Sequence, residues 1–242
     1  MESYRGFSSL YDELIHEDID YEKMASYILQ HSAGRKSYLD LGCGTGNLSL
    51  LLGRHFQETH LVDLSPEMLT LAEDKFTEAK VPHQAFALSM TEIAFGQTYD
   101  LITSSLDALN YVLDLDEVGE IFRRVYDHLK DNGVFIFDLN SPYKLREILG
   151  FQDYVYTRED LVYTWENYLE GDIVEMTLNF FIPRGKLYER VEEFHEERIY
   201  EPHIIETLLR QAGFTQVRMT EDYTEAPLTE TSERITFIVR KR

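Results

Sequence analysis

The stretch Leu39-Asp40-Leu41-Gly42-Cys43-Gly44-Thr45-Gly46-Asn47 decides how this chain is read. It follows the apolar run that starts at Ser37 and precedes an apolar-periodic segment from Gly46 to Arg54, so it reads as a turn between a buried strand and a helix. Glycines let the backbone turn sharply there and let a ligand approach the helix N-terminus, where unpaired N–H groups point outward. A nucleotide-like ligand is the natural occupant of such a loop. The dinucleotide fingerprint G-x-G-x-x-G fails by one position, because counting from Gly42 its third glycine falls on Asn47. Asp40, two residues before Gly42, would repel a pyrophosphate at close range. The loop therefore calls for a ligand with positive charge near it rather than two phosphates.

Outward from this loop, strand and helix patterns alternate. Upstream lie two amphipathic segments, 7–16 and 20–32, the second with Tyr21, Met24, Ala25, Ile28 and Leu29 at helical spacing. Downstream, THLVDL reads as a strand, and the helix after it opens with Ser65 as N-cap and Pro66 at its first position. Strands near 83–87 and 99–104 follow, then a helix over 116–130 with Val118, Ile121, Phe122, Val125 and Leu129 on one face. NGVFIFDLN, introduced by Asp131-Asn132-Gly133, is the fifth strand. Such a series builds a parallel sheet with helices on both faces.

The pattern changes at about residue 151. From 160 to 200 the chain reads as antiparallel: Val174, Met176, Leu178, Phe180 and Ile182 are apolar while the positions between them are mostly polar, with turns at Glu170-Gly171 and Pro183-Arg184-Gly185. A helix returns at Pro202 and stops at Gly213, and strands near 214–221 and 234–240 finish the chain. The expected architecture is an α/β, Rossmann-like, seven-stranded mostly parallel sheet with helices on both faces. Residues 1–150 and 201–242 form this core, and 151–200 form a small antiparallel β insertion.

Composition narrows the function classes. The 242 residues are 43% hydrophobic and 28% charged, as in an ordinary globular protein. Apolar runs are too short for a membrane span, and the N-terminus lacks the apolar core of a signal peptide, so a cytoplasmic location is expected with no membrane partner. The single cysteine, Cys43, agrees with a reducing compartment. Against 23 basic side chains stand 44 acidic ones, a formal net charge of -21, which disfavours a nucleic-acid partner. The segment 151–200 carries 12 acidic and 5 basic side chains, which would favour a cationic or neutral small molecule over an anionic one.

S-adenosylmethionine has a sulfonium, an amino group and no phosphate. At Asp40-Leu41-Gly42-Cys43-Gly44-Thr45-Gly46 the sequence resembles the class I S-adenosylmethionine-dependent methyltransferases, whose first motif reads [DE]-x-G-x-G-x-G. Asp63 in LVDLSPEML and the segment YDLITSSLDALNYV (99–112) match further family markers in the expected order. The resemblance implies that Asp63 accepts both ribose hydroxyls, that Leu64 and Met68 flank the adenine, and that Ser104, Ser105 and Leu106 line the methionine end. Where the family often carries an acidic residue after the third strand, this chain has Ser89, so adenine recognition there falls to the Ser89 hydroxyl or to backbone groups of Ser89 and Met90. The cofactor-binding set is thus Asp40, Gly42, Cys43, Gly44, Gly46, Asp63, Leu64, Met68, Ser89, Met90, Ser104, Ser105 and Leu106.

The reaction implied is methyl transfer to a small-molecule acceptor bearing an amine or a hydroxyl, with no metal. The insertion 151–200 resembles those of small-molecule methyltransferases, including glycine and amino-sugar N-methyltransferases, which implies that its strands cover the acceptor side. Tyr11 resembles a tyrosine that family members place over the active site, and Asn110 and Asn140 follow strands at the sheet edge where ligands collect, so these three are the acceptor-side candidates. Cys43 reads as a small loop residue and His195 as a solvated strand histidine; Ile199 breaks any H-E-x-x-H zinc pattern. Asp114-Leu115-Asp116 imitates a calcium loop, but Val118 and Val125 stand where ligands are needed. Lacking an evident His or Lys base, the chain suits an amine that is neutral when bound better than an alcohol. A macromolecular acceptor, a non-catalytic S-adenosylmethionine-binding protein and a homodimer stay open. A nicotinamide-dependent oxidoreductase would need the glycine that Asn47 replaces.

Overall fold

The computed structural model describes residues 19–157 and 161–241. The amphipathic segment 7–16 and Tyr11 lie outside the described residues. In chain order the elements are α1 (Tyr21–His31), β1 (Ser37–Leu41), α2 (Asn47–Gly53), β2 (Glu58–Asp63), α3 (Pro66–Glu78), β3 (His83–Ala87), β4 (Tyr99–Ser104), α4 (Leu115–His128) and β5 (Leu129–Asn140). After a π-helical turn at Lys144–Leu149 come β6 (Tyr154–Thr157), β7 (Val162–Glu170), β8 (Ile173–Arg184), β9 (Leu187–Arg198), α5 (Pro202–Gln211), β10 (Gln216–Glu221) and β11 (Arg234–Arg240). A seven-stranded sheet has the order β3-β2-β1-β4-β5-β11-β10, and a separate four-stranded sheet the order β6-β7-β8-β9.

The first five strands pair in parallel, while β11 runs antiparallel to both β5 and β10. Strand alternation sends successive side chains to opposite faces, and both faces are buried. Tyr38, Leu101, Val134 and Ile136 pack with Tyr21, Met24 and Ile28 of α1 and Leu48 and Leu52 of α2. Leu39, Ile102, Phe135 and Phe137 face the other way, against Val118, Ile121, Phe122 and Val125 of α4 and Leu209 of α5. On this second face Phe137 stacks on Phe237 at 4.6 Å, joining β5 to β11. The chain order reverses about β1, whose neighbours are β2 and β4. Open α/β sheets bind ligands at such a switch point, beyond the carboxyl ends of the strands.

Two local expectations are corrected. β5 begins at Leu129, ahead of Asp131-Asn132-Gly133, because the β4–β5 register jumps from Tyr99↔Leu129 to Leu101↔Val134 and absorbs those residues in a bulge. β8 runs through Pro183 to Arg184, so the hairpin turns at Gly185-Lys186 instead. Pro183 lies two residues past Val162↔Phe181, the last β7–β8 pair among the described residues, where a proline costs the ladder least.

A seam of buried polar groups docks the four-stranded sheet on the main one. The Asn110 side chain donates to the Arg198 carbonyl at 2.9 Å and accepts from the Asn140 amide at 3.0 Å, and the Arg198 amide donates to the Asn110 carbonyl at 2.8 Å. Asn140 Nδ2 donates to Glu197 Oε2 at 2.8 Å. These bonds fix the end of β9 against the ends of β4 and β5.

Candidate active site

The glycine loop is hung from β2: the amides of Gly42 and Cys43 both donate to the Val62 carbonyl, at 2.8 and 3.0 Å. Gly42, Gly44 and Gly46 all have positive φ. A Cβ at Gly44 would meet nothing within 4 Å, whereas one at Gly46 would lie 2.9 Å from Cβ of Ala72 on α3. Gly44 thus faces open space and Gly46 is a packing glycine. Beside the loop the Gly44 amide donates to Asp63 Oδ2 at 2.7 Å, and Ser65 N donates to Asp63 Oδ1 at 2.9 Å.

Asp40 lies beneath the loop, 3% exposed. Its carboxylate accepts from Ser49 Oγ at 2.5 Å and Thr103 Oγ1 at 2.6 Å. Burial pushes its pKa up to about 6 against the opposing effect of these hydroxyls, so its charge is partly spent inside the protein. Burial likewise pushes the Cys43 thiol well above its usual range, which leaves it a poor nucleophile.

A cavity of about 580 Å³ opens at the carboxyl ends of β1 to β4. Asp40, Gly42, Cys43 and Gly44 line it from the first loop; Asp63, Leu64 and Met68 from β2 and α3; Ser89 and Met90 after β3; Ser105 and Leu106 after β4. Gly46 and Ser104 are not among the lining residues: Gly46 turns toward Ala72, and Ser104, the last residue of β4, is fully buried. The Ser89 hydroxyl accepts from Thr91 N, while Ser89 N donates to Glu92 Oε2 and the Ser89 carbonyl accepts from Glu92 N, a capping box that commits the residue locally.

Asn110 and Asn140 are also absent from the lining. Both are almost wholly buried, with their amides committed to the seam between the sheets. Tyr111, the neighbour of Asn110, does line the cavity, and so does His195 of β9. The two rings meet edge to face at 5.9 Å. His195, expected as a solvated strand residue, is instead carried into the cavity by the docking of β9. Its Nε2 lies 3.0 Å from Glu193 Oε2, and both side chains are 22% exposed. Period-two spacing was the available signal: Glu193, His195 and Glu197 share one face of β9, whereas Glu192 and Glu196 point the other way.

Asp107 also lines the cavity, in a loop that spends two successive non-glycine residues, Leu106 and Asp107, at positive φ. The fully buried Asp138 carboxylate holds them, accepting the amides of Leu106 and Asp107 at 2.8 Å each. Arg234 bridges the Asp138 and Asp107 carboxylates. Outliers of this kind persist where surrounding contacts over-determine them and cluster at functional sites.

The cavity suits S-adenosylmethionine. It is within the ~300–1,000 Å³ of small-molecule sites, it offers a carboxylate and apolar walls at Leu64, Met68 and Met90, and the side of Gly44 where a Cβ would stand is open. Among the described residues no cluster of His, Cys, Asp or Glu is arranged to hold a metal, and no helix is long and apolar enough to cross a membrane.

Comparison with known proteins points the same way. A family model described as a methyltransferase domain matches residues 39–133. The crystal structure of an S-adenosylmethionine-dependent methyltransferase from Clostridium acetobutylicum ATCC 824 is 38% identical, superposes with a TM-score of 0.92 and aligns over 98% of each chain. A relative from Geobacillus sp. (strain WCH70), provisionally named a methyltransferase, is 36% identical over 99% of this chain and 100% of its own. DesVI from Streptomyces venezuelae, 22% identical with a TM-score of 0.80 over 98% of each chain, shares the fold.

Proposed function

Since the chain belongs to the class I S-adenosylmethionine-dependent methyltransferases, we propose that it methylates a small molecule bearing an amine or a hydroxyl, held between the glycine-loop edge of the main sheet and the four-stranded sheet. The observation that carries this reading is a single cavity of about 580 Å³ bounded both by the cofactor-side residues Gly44 and Asp63 and by His195 of β9. That volume suits a cofactor and a modest acceptor, and the four-stranded sheet serves as the acceptor-side cover. The solved amino pentose methyltransferase CalS10, which shares the fold, supports the same class of acceptor.

Within this reading Asp63 takes the ribose hydroxyls, Leu64 and Met68 flank the adenine, and the Met90 backbone meets its edge, since Ser89 is spent on its capping box. Ser105 and Leu106, held by Asp138, shape the methionine end. S-adenosylmethionine supplies an electrophilic methyl carbon. The chain's own part is to align the acceptor behind it, exclude water and take up a proton where the acceptor carries one.

The test is methyl transfer from methyl-labelled S-adenosylmethionine into a cell metabolite extract, with mass identification of the product. Label in a small molecule supports the reading. Label confined to protein or nucleic acid, or no label, overturns it.

A further inference from the structure

Resting on that reading of the cavity, we propose that His195 is the proton acceptor of methyl transfer, through Nδ1, and that Glu193 is the residue that positions it. The tautomer follows from the hydrogen bond. An ionised carboxylate has no proton to give, so the contact of 3.0 Å between His195 Nε2 and Glu193 Oε2 calls for a proton on Nε2, which in the neutral imidazole leaves the lone pair on Nδ1. No hydrogen bond among the described residues occupies Nδ1. A base whose far nitrogen is oriented by a carboxylate is the arrangement that general-base catalysis uses repeatedly.

The placement is not an accident of an exposed strand. Asn110 binds both ends of the seam that docks β9, and the next residue, Tyr111, sets its ring 5.9 Å from the imidazole. Among the described residues, the groups facing His195 include Glu193 and Glu197 on its own strand, neutral Met176 across on β8, and Tyr111 from the loop after β4. Asp107, farther along the lining, is committed to Arg234 at 2.9 Å. Of the other acidic groups on the lining, Asp40 is buried under two hydroxyls, Asp63 accepts the Gly44 and Ser65 amides, Glu117 sits in the first turn of α4, and the Cys43 thiolate is disfavoured by burial.

The step balances without another reactant. A lone pair on the acceptor nitrogen or oxygen forms the new bond to the methyl carbon, while the carbon–sulfur bond breaks with its electron pair left on sulfur. The proton carried by the acceptor heteroatom passes to His195 Nδ1, and the imidazolium so formed is paired with the Glu193 carboxylate. Protonated imidazole then returns its proton to solvent. A hydroxyl acceptor therefore becomes as workable as an amine.

Two measurements test this. Two-bond proton–nitrogen NMR correlation of His195 should show the Nε2-protonated tautomer in the intact protein, retained in Glu193→Gln and lost in Glu193→Ala. A tautomer mixture unaffected by Glu193→Ala overturns the positioning role. In the labelling assay above, His195→Ala and His195→Gln should bind S-adenosylhomocysteine like the unmodified protein but transfer methyl at least ~100-fold more slowly, the lower range for general-base catalysis. Added imidazole should restore part of the rate to His195→Ala only. Rates in both variants equal to that of the unmodified protein overturn the proposal. If the unmodified protein labels a macromolecule, the small-molecule reading fails while the same His195 comparison is read on that product. If it labels nothing, both fall.

Discussion

The Gly44 amide donates to the Asp63 carboxylate at 2.7 Å, so the two strongest marks of the cofactor site are one hydrogen-bonded unit. Asp63 therefore has two tasks: it braces the glycine loop through Oδ2 and the start of α3 through the Ser65 amide on Oδ1, and it keeps further acceptor capacity on each oxygen for a ligand. Asp63→Ala should weaken S-adenosylhomocysteine binding by about 1.5–3 kcal/mol, the scale of charge-assisted hydrogen bonds, and should also lower the melting temperature without ligand. Asp63→Asn should recover part of both. Calorimetric affinities equal to those of the unmodified protein in both variants would remove Asp63 from the site.

Ligand-linked stability offers an independent check. S-adenosylhomocysteine at ~100 times its dissociation constant should add roughly 2.7 kcal/mol to stability, read as a rise in melting temperature. NAD should leave it unchanged, because Asn47 stands where the dinucleotide loop needs its third glycine.

Glycines two residues apart should fail differently. Gly46→Ala forces a Cβ to within 2.9 Å of Ala72 at a φ of +78°, so it should destabilise the fold by about 1–3 kcal/mol. Gly44→Ala, at a φ of +52° with nothing within 4 Å, should cost less stability and more S-adenosylhomocysteine affinity, because its Cβ would stand in open space beside the ligand. Melting curves with and without ligand separate the two effects, and equal losses in both variants would contradict the assignment.

Glu197 should make stability depend on pH. Burial, chiefly, and the nearby Asp107 raise its carboxyl from 4.5 to about 8. A folded-state pKa above the unfolded one means that the folded state binds more protons across that window, so the stabilising contribution is full below about pH 4.5 and is lost as pH rises toward about 8. Asp40 acts in the same sense up to about pH 6, while burial lowers the pKa of His60 and gives it the opposite sense. The difference between the unmodified protein and Glu197→Gln isolates Glu197: their melting temperatures should converge, or cross in favour of Glu197→Gln, as pH rises from about 6 to about 8. Parallel pH profiles would show that Glu197 does not titrate in that range.

Much of the molecule is written locally in the chain, because the forces that shape it act between near neighbours. Strand alternation, the Ser65-Pro66 helix start and the glycine loop each follow from periodicity or backbone sterics within a few residues, and so the seven-stranded core was legible without coordinates, whereas Asp63, Leu64 and Met68, which line the cavity beside the loop, were singled out by the family resemblance. Asn110, Asn140 and His195 were not. Asn110 and Asn140 look like edge residues awaiting a ligand until their partners arrive from 88 and 57 positions away, at Arg198 and Glu197, and bury them. Period two assigns Glu193, His195 and Glu197 to one face of β9, but nothing local says whether that face meets water or the cavity. Docking of the four-stranded sheet decided it, because the buried amides at its seam are satisfied only with β9 closed against the ends of β4 and β5.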